Sequence, residues 1–235
     1  MSSEEVINRI RSRGYWRVEI RPTMFEKLRI PTFSEARELV QSCKVQWGGW
    51  DYPHWNEASA QNMSDWVESQ EDWEHHIEHW RFYRSGQFVH LFALHEDHLD
   101  LREVLPTRYP ARRPRAGYVS YVWATHKVTE ILEFASRLAN KHALRPSAFI
   151  SIGLYNLKDH ELTSFSASRH LDDGYVYSME DPIVIEREIP QDELVVNAGS
   201  FALDFIVEIF ERFNWNNPPR QILAEEQKRL RERRL

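Results

Sequence analysis

The chain has one cysteine, Cys43, and only eight glycines in 235 residues. A single thiol excludes an intramolecular disulfide and any zinc site built on several cysteines. The glycines include one adjacent pair, Gly48-Gly49, and they form neither a Walker loop nor a dinucleotide fingerprint. A Gly-x-Ser-x-Gly elbow is also missing. ATP hydrolysis by this chain alone, Rossmann-type redox chemistry and α/β-hydrolase catalysis are therefore disfavoured. No apolar run approaches the roughly 20 residues needed to cross a bilayer. The opening Met1-Ser2-Ser3-Glu4-Glu5 lacks the basic-then-apolar order of a secretory signal. These absences predict a cytoplasmic protein with no membrane partner.

What is present suffices for a core, since 42% of the residues are hydrophobic and 28% charged. The net charge of -6 hides an alternation: residues 1–50 and 101–150 are net basic, 51–100 and 151–200 net acidic. A chain built mainly to coat nucleic acid is usually basic throughout. A local basic site remains as one alternative, through Arg108, Arg112, Arg113 and Arg115 with Tyr109 or Tyr118 stacking. The alternation also suits contacts with a protein partner or a second copy of the chain, and solvated surface accounts for it equally.

Hydrophobic spacing predicts a short helix over Glu4–Arg11 and a half-buried strand over Tyr15–Arg21, ended by Pro22. Ser34 is read as the N-cap of a helix running to about Ser42, followed by a strand over Lys44–Trp47. A hairpin is expected around a two-residue Ser85-Gly86 turn, pairing Phe82 with Val89 and Trp80 with Leu91. Residues 70–79 suit either helix or strand. Leu105–Arg115, rich in proline and arginine, reads as an extended loop. Beyond it a helix is predicted over Tyr118–His142, with Val122, Val128, Ile131 and Leu138 inward and Glu130 outward. Strands at 148–155, 175–177 and 183–189, a helix over Ala198–Phe213, and a charged helix after Pro218-Pro219 complete the reading. The expected fold is α+β, a mainly antiparallel sheet with packed helices and a C-terminal helical tail. Two halves, 1–105 and 118–235, are joined by a basic loop at 106–117, or form one continuous domain.

The segment His75-His76-Ile77-Glu78-His79 matches the H-x-x-E-H pattern of inverted zinc metallopeptidases. On a helix, His75 and His79 would grip zinc with Glu78 as general base, and His95, Glu96, Asp97 or His98 could add a third ligand. On a strand, Glu78 would point away from both histidines. Zinc is thus an alternative cofactor, against a leading expectation of none. Arg137 and His142 have a spacing similar to that of HEPN ribonucleases, as do Arg84 and His90, but the strand content argues against that all-helical fold. His160, Glu161, His170, Asp172 and Asp173 could bind a divalent ion, although turn chemistry explains Asp172-Asp173-Gly174. Cys43 ends an amphipathic helix and reads as a small packed hydrophobe.

The composition departs furthest from average in tryptophan. Six of nine, Trp47, Trp50, Trp55, Trp66, Trp73 and Trp80, crowd into one short region. Indole rings with one polar edge suit ligand pockets and protein interfaces, and they also fill cores. Acidic surroundings favour a neutral or cationic ligand.

Gly49-Trp50-Asp51-Tyr52-Pro53-His54, Trp80-Arg81-Phe82-Tyr83-Arg84-Ser85-Gly86-Gln87-Phe88 and Phe210-Glu211-Arg212-Phe213-Asn214-Trp215 together resemble a family of bacterial proteins without a settled function. In that family a similar module can accompany a Schlafen-like, AlbA-type domain, although no segment here resembles that domain. The resemblance implies a bacterial accessory or sensor module in regulation or antiviral defence, and it carries over no catalytic residue. The resulting expectation is a non-catalytic module that binds a protein segment or small molecule. Trp50 and Tyr52 would pack on it, Asp51 and His54 hydrogen-bond it, and Arg81 and Arg84 pair with its charge.

Overall fold

Strand β1 (Tyr15–Pro22) turns polar alternation into architecture. Trp16, Val18 and Ile20 are buried on one side, while Tyr15, Arg17, Glu19 and Arg21 are half-buried on the other. The computed structural model describes residues 2–99, 115–165, 171 and 174–234. Within them β1 is flanked by β5 (Phe88–Ala93) and β7 (Ser147–Tyr155), both antiparallel. With β2 (Gln61–Asn62), β3 (Trp66–Trp73), β4 (His76–Tyr83) and β10 (Ile183–Pro190) they form a seven-stranded antiparallel sheet of order β10-β7-β1-β5-β4-β3-β2. A smaller sheet pairs β6 (Gly117–Ser120) parallel to β8 (His160–Thr163), and β8 antiparallel to β9 (Val176–Tyr177). The two halves expected on either side of residues 106–117 thus share the large sheet through the β1–β7 pairing.

Helix α1 (Ser3–Arg11) carries the capping box Ser2–Glu5 and lays Val6 and Ile10 on Ile77, Leu91 and Ala93. Burying two such side chains contributes roughly 1.5–3 kcal/mol each. The opposite face of the sheet packs into a larger core with α2 (Phe33–Cys43), α3 (Tyr121–Asn140), α4 (Gln191–Arg212) and α5 (Arg220–Arg231). The fold is α+β with a C-terminal helix, and no helix among the described residues is long and apolar enough to cross a membrane.

Several expectations change in detail. Thr32, not Ser34, caps α2, and α4 begins at Gln191, ahead of a kink at Asn197. Lys44–Trp47 makes no strand beyond one bridge, Val45 to Tyr52. Residues 70–79 are strand, turn and strand. The predicted hairpin exists with a register shifted by one, Phe82 opposite Phe88 and Trp80 opposite His90. The connection holds three residues instead of two: Tyr83 N–H donates to the Gln87 carbonyl at 2.7 Å, and Gly86 sits at φ 87°. A one-residue shift exchanges the faces of β5, so His90 rather than Leu91 points into the main core. The 105–114 part of the basic loop lies outside the described residues.

Candidate functional site

Two backbone hydrogen bonds between Val45 and Tyr52, at 2.8 and 2.9 Å, close a loop around Gly48-Gly49-Trp50-Asp51. This loop, the β4 and β5 strands and the first turns of α3 enclose a cavity of about 230 Å³. Trp50, Tyr52, Glu78, His90, Trp123 and Lys127 supply much of its wall. Gly48 brings the loop backbone close to α3, since a Cβ there would lie 3.2 Å from Glu130 Oε1.

The floor is a buried carboxylate. Trp50 Nε1 donates to Glu78 Oε1 at 2.8 Å, and His90 Nε2 lies 2.8 Å from Glu78 Oε2, close but poorly aligned for a hydrogen bond. Burial alone would raise the Glu78 carboxyl, but the adjoining His90 and the Trp50 N–H outweigh it and hold it down at about 2. Across the cavity Lys127 donates to Glu130 at 2.8 Å, and its ammonium lies 5.4 Å from the centre of the Tyr52 ring. Burial raises the Glu130 carboxyl despite that lysine. Glu130, expected on the outer face of its helix, is only 3% exposed, because the Gly48 loop closes over that side.

At one end of the cavity three imidazoles gather. His75, His76 and His95 are half-buried, and one ring nitrogen from each lies within 4.8 Å of the others. His76 stacks on Trp50 at 4.4 Å and 9°, while Trp123 meets His95 edge-on at 4.8 Å. Burial, with the two neighbouring imidazoles, lowers His95 to about 3.

The expected site residues divide. Trp50, Asp51 and Tyr52 line the cavity, and His54 stacks on Trp50 at 4.1 Å. Tyr52 is 1% exposed, a wall rather than a surface anchor. Asp51 accepts from Lys44 at 3.0 Å and Gln46 at 3.2 Å, which fixes the loop. Arg81 and Arg84 are not in the site. Arg81 pairs with Glu68 at 2.9 Å on the α1 side of the sheet, and Arg84 donates to the Ile30 and Pro31 carbonyls. The tryptophan crowd is likewise split, with Trp55 and Trp80 in the core and Trp73 53% exposed.

The helical H-x-x-E-H arrangement does not form. Strand geometry sends His79 to the α1 face, 3.6 Å from Glu68, while Glu78 faces the cavity. His75 instead meets His76 and His95, the latter named among possible third ligands. Glu96 accepts from Ser120 N–H at 2.6 Å, and Asp97 from Gly14 N–H at 2.8 Å. His98 is not in the three-imidazole group. Arg115 pairs with Glu161 at 2.8 Å, and Arg108, Arg112 and Arg113 lie outside the described residues. His160 contacts Asp97 at 3.1 Å, whereas His170, Asp172 and Asp173 also fall outside. Arg137 holds Glu133 at 2.9 Å while His142 turns to Gln191, so they make no joint site. Cys43 is buried, which raises its thiol above the ordinary range.

Sequence reasoning missed His90, Trp123, Lys127 and Glu130 as site residues. For His90 the missing signal was the turn length. Lys127 and Glu130, three apart on one helix face, could have been found as an ion pair beside an apolar stripe. Comparison with protein-family models, with curated proteins and with solved structures finds no match to this chain.

Proposed function

We propose that the chain is a binding or sensing module whose ligand enters the cavity between the Gly48–Tyr52 loop and α3. The observation that carries this reading is the wall itself: indole and phenol rings beside Glu78 and Glu130, with Lys127 as the nearby cation. Apolar concavity supplies affinity, and a few placed polar groups supply orientation. A cavity of about 230 Å³ suits a compact molecule of one or two rings. The carboxylates favour a neutral or singly cationic ligand that donates hydrogen bonds, and they disfavour phosphates.

The test is a titration of the whole chain with a panel of small heteroaromatic amines, followed by calorimetry and amide NMR shifts. Resonances of the Gly48–Tyr52 loop and of α3 should move with one binder per chain. Trp50→Ala should then weaken binding by about 2 kcal/mol, whereas Trp66→Ala should leave it unchanged. A panel without a binder, or shifts confined to another surface, defeats the reading.

A further inference from the structure

Successive side chains of a strand point to opposite faces, so adjacent histidines on a strand cannot ordinarily serve one ligand. Here the chain turns between them. Trp73 pairs with His76 across a two-residue connection, and Glu74 takes the left-handed conformation at φ 52°. His75 lies in that turn and His76 opens β4, so their rings come within 4.7 Å of each other. His95 arrives from far along the sequence, at the start of a short 3-10 helix (His95–His98) after β5, with its ring 4.2 Å from His75 and 5.2 Å from His76.

The environment orients these rings. Trp50 and Trp73 both stack on His76, at 4.4 and 6.1 Å, and Trp123 abuts His95. The buried carboxylates nearby are engaged elsewhere, Glu78 by Trp50 and His90, Glu96 by Ser120, and the exposed Glu74 reaches only to 4.0 Å from His75. One long, exposed contact does not explain why three imidazoles meet at a cavity wall.

We propose that His75, His76 and His95 form a three-imidazole binding site for a divalent first-row transition metal, with zinc as the occupant and an open coordination position facing the cavity. Zinc–nitrogen bonds of about 2.0–2.1 Å place tetrahedral donors roughly 3.3 Å apart. Half-buried rings whose nitrogens already lie within 4.8 Å reach that separation by side-chain rotation. A set of three imidazoles without a carboxylate selects zinc, cobalt, nickel or copper over magnesium and calcium. This site goes beyond the organic-ligand reading and does not require it, since the ion needs only the three side chains.

The experiment uses the whole chain, free of any affinity tag and stripped with a chelator, titrated with Co²⁺ alone and then with Zn²⁺. One Co²⁺ per chain should bind, giving the visible bands of a four- or five-coordinate ion, and Zn²⁺ should displace it. Azide should shift those bands if the last position is open. His76→Gln and His95→Gln should each lower affinity at least about 100-fold, since losing even an outer contact costs 10–100-fold. His79→Gln, on the other face of the sheet, should leave affinity unchanged. Imidazole NMR signals of His75, His76 and His95 should shift with Zn²⁺ in the unmodified chain, a readout that survives if a variant fails to fold. No stoichiometric binding, affinity indifferent to both His→Gln changes, no azide response, or zinc-induced shifts at other histidines would overturn the proposal.

Discussion

Each face of the large sheet carries a glutamate held by a tryptophan and a histidine, yet one of these is sealed and the other borders a cavity. On the α1 face Glu68 accepts from Trp66 Nε1 at 2.8 Å and from Arg81 at 2.9 Å through one oxygen, and from Gln61 and Ser3 at 2.9 and 3.1 Å through the other. A carboxylate offers about four acceptor positions, so Glu68 is saturated. On the other face Glu78 has Trp50 on one oxygen and His90 against the other. Capacity remains on the side that meets the cavity. The difference teaches that the same residue types make a structural lock where a helix closes over them and a receptive floor where a loop holds the neighbouring elements apart.

Breaking the lock should have the largest effect. Glu68→Ala leaves Arg81 and the Trp66 N–H without their acceptor, and should cost about 3 kcal/mol or more in denaturant-induced unfolding. Glu78→Gln keeps an acceptor for Trp50 and should cost less, about 1–2 kcal/mol. Its effect on binding should exceed that of Glu68→Gln, with a cationic ligand weakened about tenfold, or about 1.4 kcal/mol. Equal behaviour of the two variants in binding would erase the distinction between the faces.

Acid should sharpen the same contrast. Burial, then the Arg81 charge, lowers His79 to about 4 from its ordinary 6.5. The unfolded chain therefore binds a proton in that interval that the native chain does not. Stability contributed by neutral His79 is present above about 6.5 and is lost as pH falls towards 4, with a slope of at most about 1.4 kcal/mol per pH unit. Unfolding curves of His79→Gln should lack that component. The smallest effect has the opposite sign. For His160 burial favours the neutral ring, but the Asp97 hydrogen bond and charge outweigh it and raise its pKa above 6.5. Its contribution is complete below 6.5 and disappears as pH rises through the raised value. Asp97→Asn should flatten this slope in the same measurement.

Much of the frame was legible because it rests on local pattern. The alternation of β1, the apolar stripe of α3 and the β-branched residues of β10 each specify their own element. The site was legible only in fragments. The loop residues Trp50, Asp51 and Tyr52 stood out by composition, but His90 was assigned to the wrong face through one extra residue in a turn. The meeting of His75 and His76 with His95 depends on β4 pairing with β5 and on the turn at Glu74, and neither leaves a spacing rule in the sequence. A helical reading of residues 75–79 selected His79 in place of His76, and only the strand geometry reverses that choice.

The seat of β1 between β5 and β7 has a practical outcome for dissection of the molecule. A fragment stopping before residue 106 would strip one edge of β1 of its partner and expose Trp16, Val18 and Ile20 to solvent. Such a piece should aggregate when produced by itself. Co-expressed with residues 115–235, it should recover by reassembly through the β1–β7 pairing and the packing of α3 on α2 and the sheet, so split-protein complementation reports on that joint surface.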